Sequence, residues 1–298
     1  MRILVTGSGG QVGKCLCRQL SGKVELLTTN RSELDITCQK AVLKTVTGFQ
    51  PDIIINATGY TAVDLAEENS EEAYRVNQDG AKFLGQAATA VGAALLHIST
   101  DYVFSGEKSR DESYSEGEEP GPLGVYGKSK LAGEKAVANT CKRHIILRTS
   151  WVFSEYGRNF VKTMIALGQK HDSLSIVSDQ YGGPTYAGDI ASALITIAEK
   201  ISDENFCQWG LYHFAGQPFM NWSGFAKVIF SEAERENLLP AEPVINNVSS
   251  EQYPSLAKRP GNSQLDTSKL TAQFGISPSD WQQALREIIK FFASKKQI

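Results

Sequence analysis

Residues 3–13 read ILVTGSGGQVG, and this stretch decides the fold. It predicts a short strand, a tight turn and then a helix over 11–20. Glycine allows unusual φ angles and close approach of a ligand to the backbone. The helix start would direct free N–H groups and the positive end of its dipole at the turn, which suits a pyrophosphate. The residues of this predicted dinucleotide site are Gly7, Gly10, Gln11, Val12 and Gly13.

The spacing is G-x-x-G-x-x-G rather than G-x-G-x-x-G, so the glycines alone are weak evidence. A plain strand-to-helix turn is the structural alternative. The motif lies on the first predicted strand, however, and alternating strands and helices follow it. That position favours dinucleotide binding.

Composition and charge exclude several classes of protein. The 298 residues carry a net charge of −3, which provides no basic field for nucleic acid. Five cysteines without a C-x-x-C pair argue against a disulfide framework or a zinc site. Met1-Arg2 leads directly into the first strand, and no apolar run is long enough for a bilayer. We therefore expect a cytoplasmic protein without a membrane or nucleic-acid partner.

Predicted strands and helices alternate along the rest of the chain. Strands are predicted over 24–29, 53–55, 94–98, 145–148 and 211–215, and helices over 39–46, 71–91, 125–139, 160–167, 188–200, 222–236 and 279–293. This pattern predicts an α/β fold with a doubly wound parallel sheet of Rossmann type and a smaller C-terminal α/β lobe. We expect a dinucleotide-binding domain over 1–170 and a substrate-binding lobe over 171–298, with an approximate boundary that the chain can cross. His97, His144 and His213 fall in predicted strands and are interpreted as core residues.

Tyr126 and Lys130 are the strongest candidates for chemistry. They stand four residues apart on a predicted helix and therefore share a face. A neighbouring ammonium lowers the pKa of a phenol, which makes the pair a general acid or base. The pattern is common by chance, and an ordinary surface helix is the structural alternative. Here it follows a nucleotide turn, a polar strand end at 99–101 and a polar acidic loop over 105–122, where substrate loops are often found.

Together these motifs resemble the extended short-chain dehydrogenase/reductase family. The matching residues are Thr6 to Gly13, Asn56-Ala57-Thr58-Gly59, Thr100, and Tyr126 with Lys130. Longer segments resemble the dTDP-4-dehydrorhamnose reductase family within it: STDYVFSG at 99–106, LGVYGKSKLAGEKAV at 123–137, RTSWVF at 148–153, DQYGGPTYAGDIA at 179–191 and KRPGNSQLDTSKL at 258–270. The resemblance implies NADPH-dependent reduction of the C4 ketone of dTDP-4-dehydro-L-rhamnose.

The resemblance also implies roles for individual residues. Tyr126, Lys130 and Thr100 would be catalytic. The substrate nucleotide-sugar would contact Thr100, Asp101, Trp151 and Arg259. The cofactor would contact the glycine turn, Asp35, Ile36, Ala57, Thr58, Gly59, Thr61, Asn77, Tyr126 and Lys130. Packing of Asn77 and Trp151 in the core, and a surface position for Arg259, are the structural alternatives.

Asn30 and Arg31 follow the second strand, where a carboxylate would favour NAD and a base would accommodate the 2′-phosphate of NADP. We therefore predict NADPH at this position. Glu33 leaves the use of NADH open.

Four alternative functions remain. The first is a reductase of another nucleotide 4-keto-6-deoxy sugar, which nothing in the sequence separates from a reductase of the rhamnose precursor. A nucleotide-sugar dehydratase of this family has Thr-Asp-Glu, whereas Tyr102 follows Thr100-Asp101 here. An epimerase acting on a related keto-sugar would retain its cofactor. A non-catalytic regulatory subunit of the methionine adenosyltransferase type would keep the fold without turnover, and the intact Thr100, Tyr126 and Lys130 argue against it.

The chain is compatible with a homodimer, although no apolar stripe identifies an interface. Some relatives place a metal-binding carboxylate in the first helix at a dimer contact. Residues 13–16 read GKCL and contain none, so we predict no metal site of that kind.

Overall fold

The computed structural model of the protein describes residues 1–203 and 205–296. The strands are β1 (Arg2–Thr6), β2 (Glu25–Thr29), β3 (Ile53–Asn56), β4 (Ala94–Thr100), β5 (His144–Thr149), β6 (Val152–Phe153), β7 (Ser173–Val177), β8 (Tyr181–Gly182), β9 (Thr185–Tyr186), β10 (Gly210–His213), β11 (Met220–Asn221) and β12 (Val244–Val248). The helices are α1 (Gln11–Leu20), α2 (Gln39–Phe49), α3 (Val63–Glu68), α4 (Ser70–Tyr74), α5 (Ala81–Val91), α6 (Val125–Thr140), α7 (Phe160–Gly168), α8 (Ala187–Ile201), α9 (Trp222–Arg235), α10 (Ser268–Phe274) and α11 (Trp281–Lys296).

The main sheet is six-stranded, in the order β10-β5-β4-β3-β1-β2, and its paired strands are parallel. The chain places β2 on one side of β1 and β3 on the other. Ligands in doubly wound sheets bind where the strand order reverses in this way, at the carboxyl ends of the strands. The predicted fold class is confirmed, and the glycine turn lies at this switch point.

Both faces of the sheet are covered. Ile53 and Ile55 of β3 belong to the core under α1 and α8, whereas Ile54 belongs to the core under α2 and α5. A parallel strand buried on both faces carries a continuous apolar run, which explains the sequence of β3.

The second half of the chain builds a further core. Helices α7, α9 and α11 pack around the fully buried side chains of Phe225 and Trp281, next to the small sheet of β7 and β12. The division at residue 170 stays a prediction. Beyond residue 170, α8 packs on the main sheet and β10 is the edge strand of that sheet.

The helix predicted over 71–91 has a different geometry. It begins at Ser70, and residues Arg75–Gly80 form a π-helical turn between α4 and α5. Such turns hold one extra residue and are frequent at functional sites. Within the described residues, no helix combines the length and apolar character needed to span a membrane.

Candidate functional site

The glycine turn has the geometry of a dinucleotide site. Gly7 adopts φ +77°, and a Cβ there would lie 2.7 Å from backbone atoms of Ala57 and Thr58. A Cβ on Gly13 would lie 2.1 Å from the Gly7 carbonyl oxygen. Gly10 caps α1 without any side-chain hydrogen bond, which leaves the first N–H groups available to an anion. These residues therefore fit a dinucleotide pyrophosphate.

Gln11 and Val12 follow the turn and have different surroundings. Gln11 accepts hydrogen bonds from Ser154 Oγ (2.8 Å) and Asn159 Nδ2 (3.0 Å), which ties the turn to the chain after β6. Val12 is buried in the core. Contact of Val12 with a cofactor would therefore be through its backbone.

Asn56 connects the turn with the neighbouring strands. Its Oδ1 accepts hydrogen bonds from the Thr6 hydroxyl (2.8 Å) and the Thr58 N–H (3.0 Å). Its Nδ2 donates to Nδ1 of His97 at 2.9 Å. Burial keeps the pKa of His97 well below its usual value, so this ring is a neutral core group as expected. Among the described residues its Nε2 has no hydrogen-bond partner.

Asn77 lies in the π-helical turn and is buried. Its side chain accepts from the Tyr60 N–H (2.8 Å) and donates to the Tyr60 carbonyl (3.2 Å) and the Ser129 hydroxyl (2.9 Å). A Cβ on Gly59 would lie 3.4 Å from Asn77 Oδ1 and 3.8 Å from Lys130 Nζ. The loop with Ala57, Thr58, Gly59 and the exposed Thr61 is thereby held against α6.

The electrostatics of Tyr126 and Lys130 differ from the expectation. Burial raises the pKa of Tyr126 to about 12, against the lowering effect of the Thr100 hydroxyl. Lys130 Nζ donates to the Ile98 carbonyl at 2.6 Å, and burial lowers its pKa to about 8, opposed by the charge of Glu134. The predicted lowering of the Tyr126 pKa by Lys130 is therefore wrong. Desolvation of the phenol raises its pKa, and the Lys130 ammonium, which is bonded to the Ile98 carbonyl, is not among the groups that shift it.

Thr100 and Asp101 lie together at the end of β4. Both are buried, and the Thr100 hydroxyl lies 3.0 Å from Asp101 Oδ1. Burial raises the pKa of Asp101 to about 7, although bonds from Ser263 and Thr100 lower it. Asp101 Oδ2 has no hydrogen-bond partner among the described residues. A buried carboxyl oxygen without a partner can receive a hydroxyl of a bound ligand.

An ion pair lies one helical turn beyond Lys130. Glu134 and Arg148 are joined at 2.7 and 2.9 Å, and their side chains are 6% and 3% exposed. The Ser99 hydroxyl donates to the same carboxylate at 2.5 Å. This cluster fixes α6 against β4 and β5, and so fixes the register of Tyr126 and Lys130 above the strand ends.

The end of β2 places the residues predicted to select the cofactor. Asn30 accepts from the Ser32 N–H and lies beside Gly9 in the turn. Arg31 is 81% exposed and pairs with Glu72 at 3.2 Å. Asp35 accepts two bonds from Thr37, which lower its pKa. Ile36 is buried in the core beside Gly80, so its side chain packs inside the protein.

A cavity of about 590 Å³ adjoins Leu123, two residues before α6, and the segment that ends at Arg259. Arg259 lines it, with its side chain 24% exposed, so the surface alternative for this residue does not describe its position. Trp151 stacks on Trp222, a further lining residue, with ring centroids 3.5 Å apart and a 7° interplanar angle. Trp151 also adopts φ +44°, an unusual conformation for a bulky residue. Aliphatic and aromatic side chains form the far wall: Phe160, Met164, Leu167, Leu174, Ile176 and Val177.

The chain is similar to known proteins along nearly its whole length. The family model described as "RmlD substrate binding domain" matches residues 1–294. The dTDP-4-dehydrorhamnose reductase of Aggregatibacter actinomycetemcomitans is 50% identical over 289 residues, which cover 96% of this chain and 98% of the relative. The chain belongs to the dTDP-4-dehydrorhamnose reductase family.

Solved structures of the reductase family agree with the fold. The dTDP-4-dehydrorhamnose reductase of Clostridium acetobutylicum has a TM-score of 0.91 at 37% identity, covering 98% of this chain and 99% of its own. The Bacillus anthracis reductase, solved in complex with NADP, has a TM-score of 0.87 at 37% identity, covering 96% and 98%.

Sequence reasoning missed several residues of this reductase site. Tyr102 packs edge-on against Tyr126 at 5.6 Å between ring centroids and also neighbours Arg259. Trp222 stacks on Trp151, and Glu134 anchors helix α6 through Arg148. Tyr102 and Glu134 fall inside motifs already identified, at STDYVFSG and KLAGEK, whereas Trp222 had no local signal.

Proposed function

We propose that this reductase converts dTDP-4-dehydro-L-rhamnose to dTDP-L-rhamnose, with Tyr126 as the proton donor to the C4 oxygen. The observation that carries the proposal is the junction of two sites. On one side, Gly59 lies between Asn77 and Lys130, in the loop whose Ala57 and Thr58 contact the glycine turn. On the other side, Arg259 of the cavity neighbours Tyr102, which packs against Tyr126. The identity of 50% to a dTDP-4-dehydrorhamnose reductase supports the choice of substrate.

A bound nicotinamide cofactor supplies the hydride that C4 receives, and the ketone is thereby reduced. Tyr126 supplies the proton to the C4 oxygen as alkoxide character develops there. Its raised pKa keeps the phenol protonated at neutral pH, which is the form that a reduction requires. Thr100 lies beside the phenol and hydrogen-bonds the same oxygen, while Lys130 orients the nicotinamide ribose.

The cavity suits the nucleotide part of the substrate. Its aliphatic and aromatic wall offers an apolar surface to the base, and the Arg259 guanidinium offers a fork of donors to the diphosphate. Asp101, whose charge acts on the Tyr126 phenol, and the Trp151 ring, which stacks on the cavity residue Trp222, bind the sugar in this proposal. This division leaves the reacting C4 carbonyl at Tyr126.

NADPH is the proposed cofactor because Asn30 and Arg31 follow β2 at the positions where a carboxylate would favour NAD. Its guanidinium is exposed and forms an ion pair with Glu72. Use of NADH stays open because the Glu33 carboxylate bonds the Asn30 N–H at the same edge.

A substrate panel tests the proposal. NADPH oxidation is followed with dTDP-4-dehydrorhamnose and with other nucleotide 4-keto-6-deoxy sugars, and the product is identified by NMR. We expect turnover of the first to exceed the others. Preferred turnover of another keto-sugar would refute the substrate assignment. Tightly bound NAD with stereochemical inversion would indicate an epimerase, and NADPH binding without any turnover would indicate a regulatory subunit.

A further inference from the structure

Helix α3 carries two carboxylates with different partners. Asp64 and Glu67 stand three residues apart, and such residues are neighbours on a helix surface. Glu67 Oε1 accepts the N–H of Val125, the first residue of the catalytic helix α6, at 2.8 Å. Asp64 instead faces residues 255–259, which line the proposed substrate cavity. This short helix therefore touches both the catalytic helix and the cavity wall.

Asp64 organises the cavity segment through both of its oxygens. Oδ1 accepts the Ser255 hydroxyl (3.0 Å) and the Ala257 N–H (3.2 Å), and Oδ2 accepts Arg259 Nη2 (2.7 Å). Arg259 Nη1 also donates to Ser255 Oγ. A guanidinium has five N–H donors, so these bonds fix its plane and leave donors for a phosphate. Asp64 thus determines where the Arg259 fork points.

The same helix begins directly after the loop assigned to the cofactor. This loop contains Thr58, Gly59 and Thr61, and the backbone N–H and carbonyl of Tyr60 within it are hydrogen-bonded to the Asn77 side chain. Helix α3 begins at Val63, two residues after Thr61. A ligand that shifts or rigidifies this loop therefore acts on the start of α3. Asp64 is the second residue of that helix, so the effect reaches Arg259 through one ion pair.

We propose that Asp64 is a positioning residue that couples dinucleotide binding at the 57–62 loop to nucleoside-diphosphate binding at Arg259. Ordering of the loop by a dinucleotide holds Asp64, and Asp64 holds the guanidinium in the orientation that accepts the diphosphate. Such coupling is reciprocal, because each ligand must raise the affinity of the other by the same factor. The inference rests on the substrate site proposed above.

Calorimetric titration with dTDP as the probe tests the coupling. The dissociation constant is measured for the full chain with and without saturating NADPH, and the ratio of the two values is the readout. We expect a ratio of about five or more in the wild type and a ratio near one in Asp64→Asn. Asparagine keeps the size of the side chain and an acceptor for Ala257, so the cavity segment keeps part of its support.

The ratio separates coupling from a general structural role. A substitution that weakens the dTDP site alone, through lost charge or a less ordered cavity segment, raises the dissociation constant of dTDP by the same factor with and without NADPH. The ratio of the two constants is then unchanged. Glu25→Gln is the matched control, since it removes a carboxylate from the exposed Arg2–Glu25 pair at the opposite end of the sheet. This variant should keep the wild-type ratio.

The outcomes are distinguishable. A wild-type ratio near one, or an Asp64→Asn ratio equal to that of the wild type, overturns the coupling while dTDP binding still supports the substrate site. Failure of the wild type to bind dTDP at all overturns both the coupling and the proposed substrate site.

Discussion

Replacing Glu134 by glutamine tests whether the buried ion pair between Glu134 and Arg148 stabilises the packing of helix α6. The Arg148 side chain is 3% exposed and donates two charge-assisted hydrogen bonds to the Glu134 carboxylate, at 2.7 and 2.9 Å. Glutamine removes the negative charge that compensates Arg148, so the guanidinium stays buried without a counter-charge. Breaking such a pair by removing one partner costs about 3–5 kcal/mol. The unfolding entropy of about 2.1 cal/mol/K per residue then predicts a melting temperature lower by about 5–8 °C for a chain of this length.

The assay is thermal unfolding followed by circular dichroism, together with a second variant. Glu134→Gln combined with Arg148→Met removes both charges, and the double variant should be more stable than Glu134→Gln alone. The exposed-pair variant Glu25→Gln serves as the control and should shift the melting temperature by less than about 2 °C. The reasoning would be refuted if Glu134→Gln had the melting temperature of the wild type. It would also be refuted if the double variant melted at a lower temperature than Glu134→Gln alone.

The same substitution has a kinetic consequence. Burial lowers the pKa of Lys130 to about 8, and the Glu134 carboxylate opposes that shift. Removing the carboxylate lowers the pKa of Lys130 further, so the charged lysine is lost at a lower pH. The alkaline limb of kcat/KM, expected near pH 8 in the wild type, should therefore move to lower pH. An unchanged limb would show that Lys130 does not control it.

Three further outcomes are expected. The pKa of Asp101 is raised to about 7 in the folded protein, so above about pH 4 the carboxyl group ionises more readily in the unfolded chain, and the folded state loses stability as the pH rises. The difference in melting temperature between Asp101→Asn and the wild type should therefore grow by about 4 °C in favour of the variant from pH 5 to pH 8, and an equal difference at both pH values would contradict this. Arg31→Ala should raise the KM for NADPH far more than for NADH, and equal effects would remove Arg31 from cofactor selection. Sedimentation equilibrium should show no magnesium-dependent dimer, because residues 13–16 lack a carboxylate; a dimer that forms on adding magnesium would contradict that prediction.

The main sheet and its glycine turn could be predicted because their signals are local. The apolar run of β3 and the Gly7–Gly13 spacing are set by burial and by close backbone approach, which restrict the sequence at those positions. The small sheet of β7 and β12 was missed. Its strands are partly exposed and pair across about 70 residues, so neither periodicity nor a nearby turn marks them.

The site could be predicted in its residue types but not in its electrostatics. The spacing of Tyr126 and Lys130 gave the shared face, whereas the pKa values depend on burial and on the Ile98 carbonyl, which the sequence does not reveal. Helix α3 was missed because six residues are too few for a periodic pattern. The contact of Asp64 with Arg259 spans nearly two hundred residues and depends on the tertiary fold.

The central claim is that Tyr126 gives its proton to the C4 oxygen of dTDP-4-dehydrorhamnose. The most direct measurement follows NADPH oxidation with this substrate in the intact protein and in Tyr126→Phe, with NADPH binding measured in both. The account predicts turnover by the first, loss of about two to four orders of magnitude in kcat by the second, and similar cofactor affinity. Undiminished turnover by Tyr126→Phe would contradict it.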